Sequence, residues 1–591
     1  MGNFSIDIKS SSGNSARVPA ETDGIQVNFC KNPACSNYGV PPKRSVLTGG
    51  AAHGAQDSYI LSGSGTGIPK LHCRVCGEQP TLKSNAAIAE ERARFLKDLV
   101  VGSEPSCPDE ICPNHTIHVS RKGGYQSHGL TKSGSRRYRC NACKKTFSLG
   151  SSTTGQRLPH KNRLVFSLLM NKSPFRRICE VADIDPQTVY RKINFINAQC
   201  LAFAASREDR LHIGMEIPRL YLGVDRQDYM VNWTRNADRR NVMLHAVGSA
   251  DNATGYVFGM HLNYDASLDS DIVEADAVDA GDYKAKTPFR RYARCWLKED
   301  YTAAIRKIVH RKKLAQGMQS EIEAVYDETA HRDDVEVSEM QDSERRLPTK
   351  GMQIHAEYTL YGHFFYLKRL FSGVEKLRFF LDQDSGMRAA CLAAFQPEIA
   401  ARRADAFYVR IAKEMTIDDK RASVALSRAA FEGARKVNPD LSESELETLL
   451  IKERIAHMST IGKWQDRWMT HPLPNMSEPE KAVCYLTDYR DYDENHLARL
   501  YNKASLHGID CFFMQVRRRM SILERPFGSA SSTGRTWYGY SAYNPETIVK
   551  MLSIFRVFYN YCLVGKDQKT PAMRLGLAKG KVSLEDIIYF S

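Results

Sequence analysis

The chain has 591 residues and a formal net charge of +15, because 83 Lys and Arg face 68 Asp and Glu. With 42% hydrophobic and 26% charged residues, it is neither disordered throughout nor fibrous, and it is too long for a single hydrophobic core. We expect no signal peptide, and no apolar run approaches the ~18 residues of a membrane helix. We therefore expect a soluble cytoplasmic protein with a polyanionic partner.

Residues 1–25 are rich in Ser and Gly and are predicted to be disordered. A cysteine pattern then occurs twice: two thiols separated by four residues, followed by two separated by two. Such knuckles predict two zinc ribbons, each with a tetrahedral Zn2+. The first covers 26–83 and contains a Gly/Ser loop at 45–68, and the second covers 101–150. The predicted ligands are Cys30, Cys35, Cys73 and Cys76, then Cys107, Cys112, Cys140 and Cys143.

Disulfides or unrelated cysteines are the alternative interpretation of this pattern. His115, His118 and His128 lie within the second copy and are alternative ligands there. The seven other cysteines stand in apolar surroundings, which favours free thiols in a reducing compartment.

Three helices with start signals follow over 158–200. Ser173-Pro174 and Asp185-Pro186 each place a capping residue before a proline, which is typical of a helix N-terminus. The pattern predicts a helix-turn-helix, although a helical hairpin in a linker is the alternative. Its recognition helix, from 185 to 196, is expected to expose four side chains to DNA: Gln187, Thr188, Arg191 and Lys192.

From residue 215 onward the pattern indicates a mixed α/β region. A strand at 219–225 ends in Asp225 and begins an antiparallel meander that continues at 241–247 and 255–260. A charged helical region over 285–345 and a helix at 358–371 precede a second strand, 376–382, which ends in Asp382. Later segments are predicted as a strand at 406–411, a mostly helical block at 419–505 and a helix at 548–561.

This order of elements is the one that a ribonuclease-H-like core requires. Two carboxylates at strand ends and a third from a helix can hold two divalent cations for phosphodiester chemistry. Taken singly, each Asp is also compatible with a helix cap or a turn. Asp384 is an alternative to Asp382, and Asp418 or Asp419 has the spacing of a third ligand in a compact core.

Three C-terminal segments resemble the closing part of insertion-sequence DDE transposases: Ser521-Ile-Leu-Glu524-Arg525, Phe555-Arg-Val-Phe-Tyr-Asn560 and Lys569-Thr-Pro-Ala-Met-Arg-Leu-Gly576. The second ribbon, with Arg137-Tyr-Arg-Cys140-Asn-Ala-Cys143-Lys-Lys-Thr-Phe147, is similar to their N-terminal zinc ribbon. The resemblance covers 105–260, 375–411 and 510 onward. It implies Glu524 as the third carboxylate, so that 215–591 is a catalytic domain whose helical insertion lies at about 419–505.

The chain departs from the family pattern in two places. Its first cysteine module is additional, and Pro526 should end or kink a helix just after Glu524. Arg517 and Arg518 either contact DNA phosphates or lie on a solvated helix face. Trp537 and Tyr538 either stack on an extruded base or pack on the core.

The predicted function is that of a DNA transposase that binds transposon ends, with structural Zn2+ at two sites and catalytic Mg2+ or Mn2+. The expected partners are double-stranded DNA and further copies of the chain, and the expected location is the bacterial cytoplasm, at the nucleoid when DNA is bound. A domesticated, non-catalytic DNA-binding regulator and a DDE-type nuclease without strand transfer are the alternatives.

Overall fold

The structure is a computed structural model that describes residues 18–43, 58–62, 68–99, 105–119, 123–130, 136–148, 156–212, 214–232, 241–300, 350–412, 415–462, 465–524, 527–528, 536–537 and 544–590. Five expectations fall wholly or partly outside these ranges. They are the disorder predicted for 1–25 as far as residue 17, the Gly/Ser loop apart from 58–62 and 68, the part of the charged helical region over 285–345 that follows residue 300, and the expectations for Pro526 and Tyr538.

The described helices, in chain order, are α1 Asn85–Leu96, α2 Asn162–Leu169, α3 Phe175–Ala182, α4 Pro186–His212, α5 Ser270–Asp279, α6 Ala356–Leu370, α7 Ser385–Ala394, α8 Gln396–Ala400, α9 Ile417–Val437, α10 Glu443–Ala456, α11 Glu494–Lys503, α12 His507–Arg519, α13 Pro545–Tyr561, α14 Pro571–Leu575 and α15 Leu584–Ile588. Short 3-10 helices occur at Lys97–Leu99, Pro159–Lys161, Thr287–Phe289 and Ser521–Leu523.

The described strands are β1 Tyr59–Ser62, β2 Lys70–Cys73, β3 Tyr125–Leu130, β4 Arg136–Cys140, β5 Thr146–Ser148, β6 Ile217–Asn232, β7 Asn241–Asp251, β8 Val257–Leu262, β9 Tyr264–Asp265, β10 Met352–Gln353, β11 Val374–Asp382, β12 Ala404–Ile411, β13 Ser459–Ile461, β14 Asp466–Thr470, β15 Lys481–Tyr485, β16 Phe527–Gly528 and β17 Thr536–Trp537. No described helix is long and apolar enough to cross a membrane.

The chain divides into two compact units, each assembled from separate segments. Unit 1 comprises Met1–Arg92, Asp265–Phe365 and Lys376–Leu506, and unit 2 comprises Ala93–Tyr264, Tyr366–Glu375 and His507–Ser591. The first cysteine module therefore belongs to unit 1, whereas the second module and helices α2–α4 belong to unit 2. These boundaries cut across the predicted catalytic domain, since residues from 215 onward contribute to both units.

Unit 1 contains a mixed sheet. Strand β11 pairs in parallel with β12, and β12 pairs antiparallel with β15, which is followed outward by β14 and β13. The buried aromatic pairs Phe380–Phe407 and Phe407–Tyr485 link neighbouring strands on one face. The prediction that 419–505 is mostly helical is wrong in part, because three of these strands lie between α10 and α11.

Unit 2 contains the antiparallel meander β6–β7–β8, as predicted. Strand β6 continues seven residues beyond Asp225, which pairs with Gly248, so the prediction that this strand ends at Asp225 is wrong. The side chain of Asn560 in α13 accepts a hydrogen bond from the Val257 amide at 2.9 Å and donates one to its carbonyl at 2.8 Å. The amide side chain in the Tyr-Asn motif thus fixes α13 on strand β8.

Capping explains the motif that follows α13. Thr570 caps α14 through the Met573 amide, Pro571 occupies the first helical position, and Gly576 ends the helix at a φ of 88°. A left-handed residue at this position favours glycine. The Lys-Thr-Pro-Ala…Gly motif therefore has a structural role in unit 2.

Candidate metal centres and nucleic-acid surface

The first candidate metal centre joins the four predicted thiols of unit 1. Their sulfur atoms lie within 4.8 Å of one another, with 3.4 Å between Cys30 and Cys76 and 3.7 Å between Cys35 and Cys73. A tetrahedral Zn2+ with Zn–S bonds of about 2.3 Å separates sulfurs by roughly 3.8 Å. The cluster is therefore compatible with a structural zinc site.

The second candidate centre has the same arrangement in unit 2. Cys107 lies 3.4 Å from Cys143 and Cys112 lies 3.6 Å from Cys140, measured between sulfurs, and all four sulfurs lie within 4.8 Å of one another. No histidine joins either group among the described residues, and His115 turns its Nδ1 to the Cys107 carbonyl at 2.8 Å. Both predicted four-cysteine sets are confirmed as clusters.

An asparagine supports each site in the same way. The side chain of Asn37 donates to the Cys73 sulfur at 3.2 Å, and that of Asn114 donates to the Cys140 sulfur at 3.3 Å. Each asparagine also donates its backbone N–H to the sulfur of the cysteine two residues before it. Such donors stabilise thiolates that ligate a metal.

A tyrosine completes each support. The hydroxyl of Tyr59 accepts from the Cys30 amide and donates to the Asn37 carbonyl, and Tyr125 does the same for Cys107 and Asn114. Sequence analysis missed these four residues. The signal for the asparagines was present, since Asn follows the second cysteine by two positions in both copies.

One thiol in each cluster ionises readily. A hydrogen bond from Cys30 is the main cause that lowers the pKa of Cys76 to about 5. In the second cluster burial opposes ionisation of Cys140, but hydrogen bonds from the backbone N–H groups of Cys143 and Ala142 lower its pKa to about 6. Because a metal binds thiolate rather than thiol, each cluster has a ligand prepared for a cation at neutral pH.

The helix-turn-helix prediction matches three helices in unit 2, α2, α3 and α4. Asp183 forms the turn between α3 and α4 with a φ of 46°. Helix α4 is longer than predicted, at 27 residues, and its C-terminal half packs on α13. Gln187 and Arg191 are exposed on its N-terminal half, as predicted for a recognition helix.

The predicted exposure of two other residues on α4 is wrong. Thr188 is buried and its hydroxyl donates to Asp185, the residue that precedes the helix, at 2.6 Å. Lys192 is also buried, and its ammonium group donates to the carbonyls of Arg157 and Leu158 and to the side chain of Asn162. Polar neighbours within the fold satisfy both side chains, and Lys192 also links α4 to α2 and to the segment before it.

The second ribbon carries a polar, basic sheet face. Arg139 on β4 pairs with Gln126 on β3 and with Thr146 on β5, and all three are exposed. Arg137 lies on the same face because side chains alternate along a strand. The opposite face is aromatic, with Tyr125, Tyr138 and Phe147 in contact.

The three predicted catalytic carboxylates occupy different kinds of element. Asp225 is buried within β6 and accepts a hydrogen bond from the Arg226 amide, whereas Asp382 is the half-buried last residue of β11. Glu524 directly follows the 3-10 helix Ser521–Leu523, so its predicted place on an α-helix is wrong. Its carboxylate lies 2.5 Å from the ammonium group of Lys172, in the turn between α2 and α3.

Two of the three alternative carboxylates, Asp384 and Asp419, take part in helix capping. Asp384 accepts from the Met387 amide at the start of α7, and Asp419 forms a capping box with Thr416 at the start of α9. Asp418 is exposed on the first turn of α9 and lies 3.5 Å from Arg421. Among the described residues, the two cysteine clusters are the only groups of three or more potential ligands within 4.8 Å.

The basic run near Glu524 lies at the end of α12. Arg518 is exposed there, whereas Arg517 is partly buried near Tyr229 of β6. Trp537 lies in the short strand β17, which pairs with β16, and Tyr538 lies outside the described residues.

No protein-family model and no curated protein sequence matches this chain.

Proposed function

We propose that this chain is a DNA transposase of the DDE type. The observation that carries the proposal is the content of unit 2, which combines a four-cysteine module, three helices with an exposed recognition face and the meander that bears Asp225. A parallel strand pair follows this meander along the chain, and the first of its strands ends in Asp382. This is the chain order of a DNA-binding segment before a ribonuclease-H-like core.

DNA binding is assigned to two surfaces of unit 2. Gln187 and Arg191 lie four residues apart and therefore on one face of α4, where they can reach base edges in the major groove. Arg137 and Arg139 on the second ribbon have the charge and reach to bind phosphates. The net charge of +15 favours the same partner.

The proposed catalytic residues are Asp225, Asp382 and Glu524. Carboxylate oxygens are hard donors that suit Mg2+ or Mn2+, and two such ions, when bound, would activate the nucleophile and stabilise the leaving oxygen. Glu524 can act as a ligand only after it leaves Lys172, since the lysine neutralises it in the structure. Asp419 is the weaker candidate because it already caps α9.

The test compares the proposed residues with matched controls in the full-length protein. The substrate is duplex DNA that carries the sequences flanking the coding region. Asp225→Asn, Asp382→Asn and Glu524→Gln should each abolish Mg2+-dependent cleavage, with a rate loss of roughly 100-fold or more, and leave DNA affinity unchanged. Asp418→Asn and Asp384→Asn serve as controls and should remain active.

The outcomes separate the remaining alternatives. If Glu524→Gln is active and Asp418→Asn is inactive, the third ligand is wrong. If the wild-type protein binds this DNA but neither cleaves nor joins it with Mg2+ or Mn2+, the chain is a non-catalytic regulator. Cleavage without strand transfer would identify a nuclease.

A further inference from the structure

The first cysteine module contacts helix α7 through residues that adjoin its metal ligands. Arg388 of α7 donates to the Glu78 carboxylate at 2.8 Å and to the Lys31 carbonyl at 3.1 Å. Lys31 directly follows Cys30, and Glu78 lies two residues after Cys76. The side chains of Arg388 and Glu78 are only 4% and 2% exposed, so the ion pair is shielded from water.

The C-terminal end of α7 contacts Tyr38, which lies three residues after Cys35. The Tyr38 hydroxyl donates to the Leu392 carbonyl at 2.7 Å. Leu392 lies in the last turn of α7, where carbonyl groups lack partners within the helix. Residues next to both knuckles therefore bind the middle of α7, and Tyr38, which follows the first knuckle, satisfies its C-terminal end.

The first cysteine module also lies close to α8, the helix that follows α7. Gly39 has a φ of +79°, and a Cβ atom there would lie 2.2 Å from the side chain of Gln396 in α8. Neither the backbone conformation nor the space permits a larger residue without movement. The module is therefore fitted against α7 and α8 within unit 1.

Helix α7 begins next to a proposed catalytic residue. Strand β11 ends at Asp382, the Asp384 amide donates to the Asp382 carbonyl at 2.7 Å, and Asp384 caps α7. The position of α7 thus determines the backbone path that leaves Asp382. All residues of α7 after Ser385 are buried, so this position depends on packing and on the contacts at both ends.

The second module lacks the two side chains, those of Tyr38 and Glu78, that contact α7 in the first. At the places of Lys31, Tyr38, Gly39 and Glu78, counted from the matching cysteines, it has Pro108, His115, Thr116 and Lys145. Lys145 pairs with Asp109 inside its own module. The repeat therefore keeps the metal-binding frame in both copies and carries the α7 contacts in the first copy alone.

We infer that the first four-cysteine site is a metal-dependent clamp on α7, with Arg388 as the positioning residue for the backbone at Asp382. The metal holds the knuckles that present Lys31, Tyr38 and Glu78, and these residues hold the helix. The first module therefore has a structural role within unit 1. The link to catalysis rests on the proposed function, whereas the clamp itself does not.

The clamp is tested by hydrogen exchange of the full-length protein, followed by mass spectrometry of peptides that cover 385–394. Glu78→Gln and Arg388→Met should accelerate exchange in α7 roughly tenfold or more, since each removes one member of a buried ion pair. Arg388→Lys should restore part of the protection. Lys145→Gln, the equivalent change in the second module, should leave α7 unchanged.

A second readout tests positioning. In Mg2+ titrations of DNA cleavage, Arg388→Met should raise the Mg2+ concentration for half-maximal rate several-fold, Arg388→Lys should partly reverse this, and DNA affinity should not change. A merely less stable protein would lose amplitude without a shift in Mg2+ dependence. Exchange in α7 that is equal in Glu78→Gln, Lys145→Gln and wild type overturns the clamp. Absence of cleavage by wild type contradicts the proposed function alone.

Discussion

The two cysteine modules have the same metal-binding frame but different surroundings. Both use four thiols, an asparagine that donates to a sulfur and a tyrosine that bridges two backbone groups. The first packs Leu71 and Leu82 beside its thiols, whereas the buried cluster of the second consists of cysteines alone. A shared zinc motif thus predicts local structure, while the residues between the ligands determine what each module contacts.

Metal removal should show the largest difference between the two modules, because zinc contributes on the order of 10 kcal/mol or more to the folding of such sites. We expect two zincs per chain. A chelator should remove the zinc of the second module, at Cys107–Cys143, roughly ten times or more faster than the zinc of the first. The second module can open locally, whereas the first is held by buried contacts to α7. The absorbance of a chromogenic chelator measures zinc release, which should show a fast phase from the second module and a slow phase from the first.

Single-site variants assign these phases. Cys140→Ser should eliminate the fast phase, and Cys73→Ser should eliminate the slow one. A single phase in the wild-type protein, or a zinc content below two per chain, would contradict the expected difference between the modules.

Two ion pairs of equal length offer the next comparison. Arg388–Glu78 in unit 1 and Lys145–Asp109 in the second module both have a distance of 2.8 Å, but only the first is buried. Arg388→Met should lower the free energy of unfolding of unit 1 by about 3–5 kcal/mol, because it leaves a buried carboxylate without a partner. Lys145→Met should cause no measurable change.

Denaturant unfolding with a probe in unit 1 measures both variants. The double variant Glu78→Gln/Arg388→Met should recover part of the loss, since the carboxylate that loses Arg388 is then removed as well. Equal effects of Arg388→Met and Lys145→Met would show that burial does not distinguish these pairs.

The metal sites could be predicted from sequence because cysteine spacing limits the geometry directly. The solvent exposure of individual side chains was harder to predict. Lys192 has the position of a DNA contact on a recognition helix, but the carbonyls of Arg157 and Leu158, in the segment before α2, bind its ammonium group. Nothing in the local sequence of α4 reveals acceptors that lie about thirty residues away.

The predicted end of strand β6 and the predicted helical content of 419–505 were wrong for a related reason. Asp225 marks the end of an apolar run, but β6 continues as far as Asn232 because the backbone pairs with β7 along its whole length. Strands β13–β15 lie in a segment with strong helical patterns on both sides. In both cases sheet pairing outweighed local preference.

Neighbouring residues on α4 should therefore behave differently. Lys192→Met should lower the free energy of unfolding of unit 2 by about 1–3 kcal/mol, since the buried Asn162 side chain and two partly buried carbonyls lose their donor. Arg191→Ala should leave stability unchanged and weaken discrimination between specific and random DNA by about 1–3 kcal/mol. Thermal unfolding and competition binding measure the two effects.

The assignment of the helix-turn-helix depends on this pair of variants. Should Arg191→Ala bind both DNAs like the wild-type protein, α4 is not the recognition helix. Stable folding of Lys192→Met would instead show that the acceptors find water.

The smallest effect concerns the two modules as DNA-binding surfaces. Arg139, on the exposed face of the second ribbon, should contact a phosphate, and Arg139→Ala should weaken binding to all DNA sequences alike and reduce the slope of log affinity against log salt by about one unit. Arg74 is an exposed arginine on the last knuckle of the first module, and Arg74→Ala should change neither quantity. Binding titrations at four or more salt concentrations resolve this difference. If Arg74→Ala also reduces the slope, both modules bind DNA, and the clamp on α7 is then an additional role of the first module.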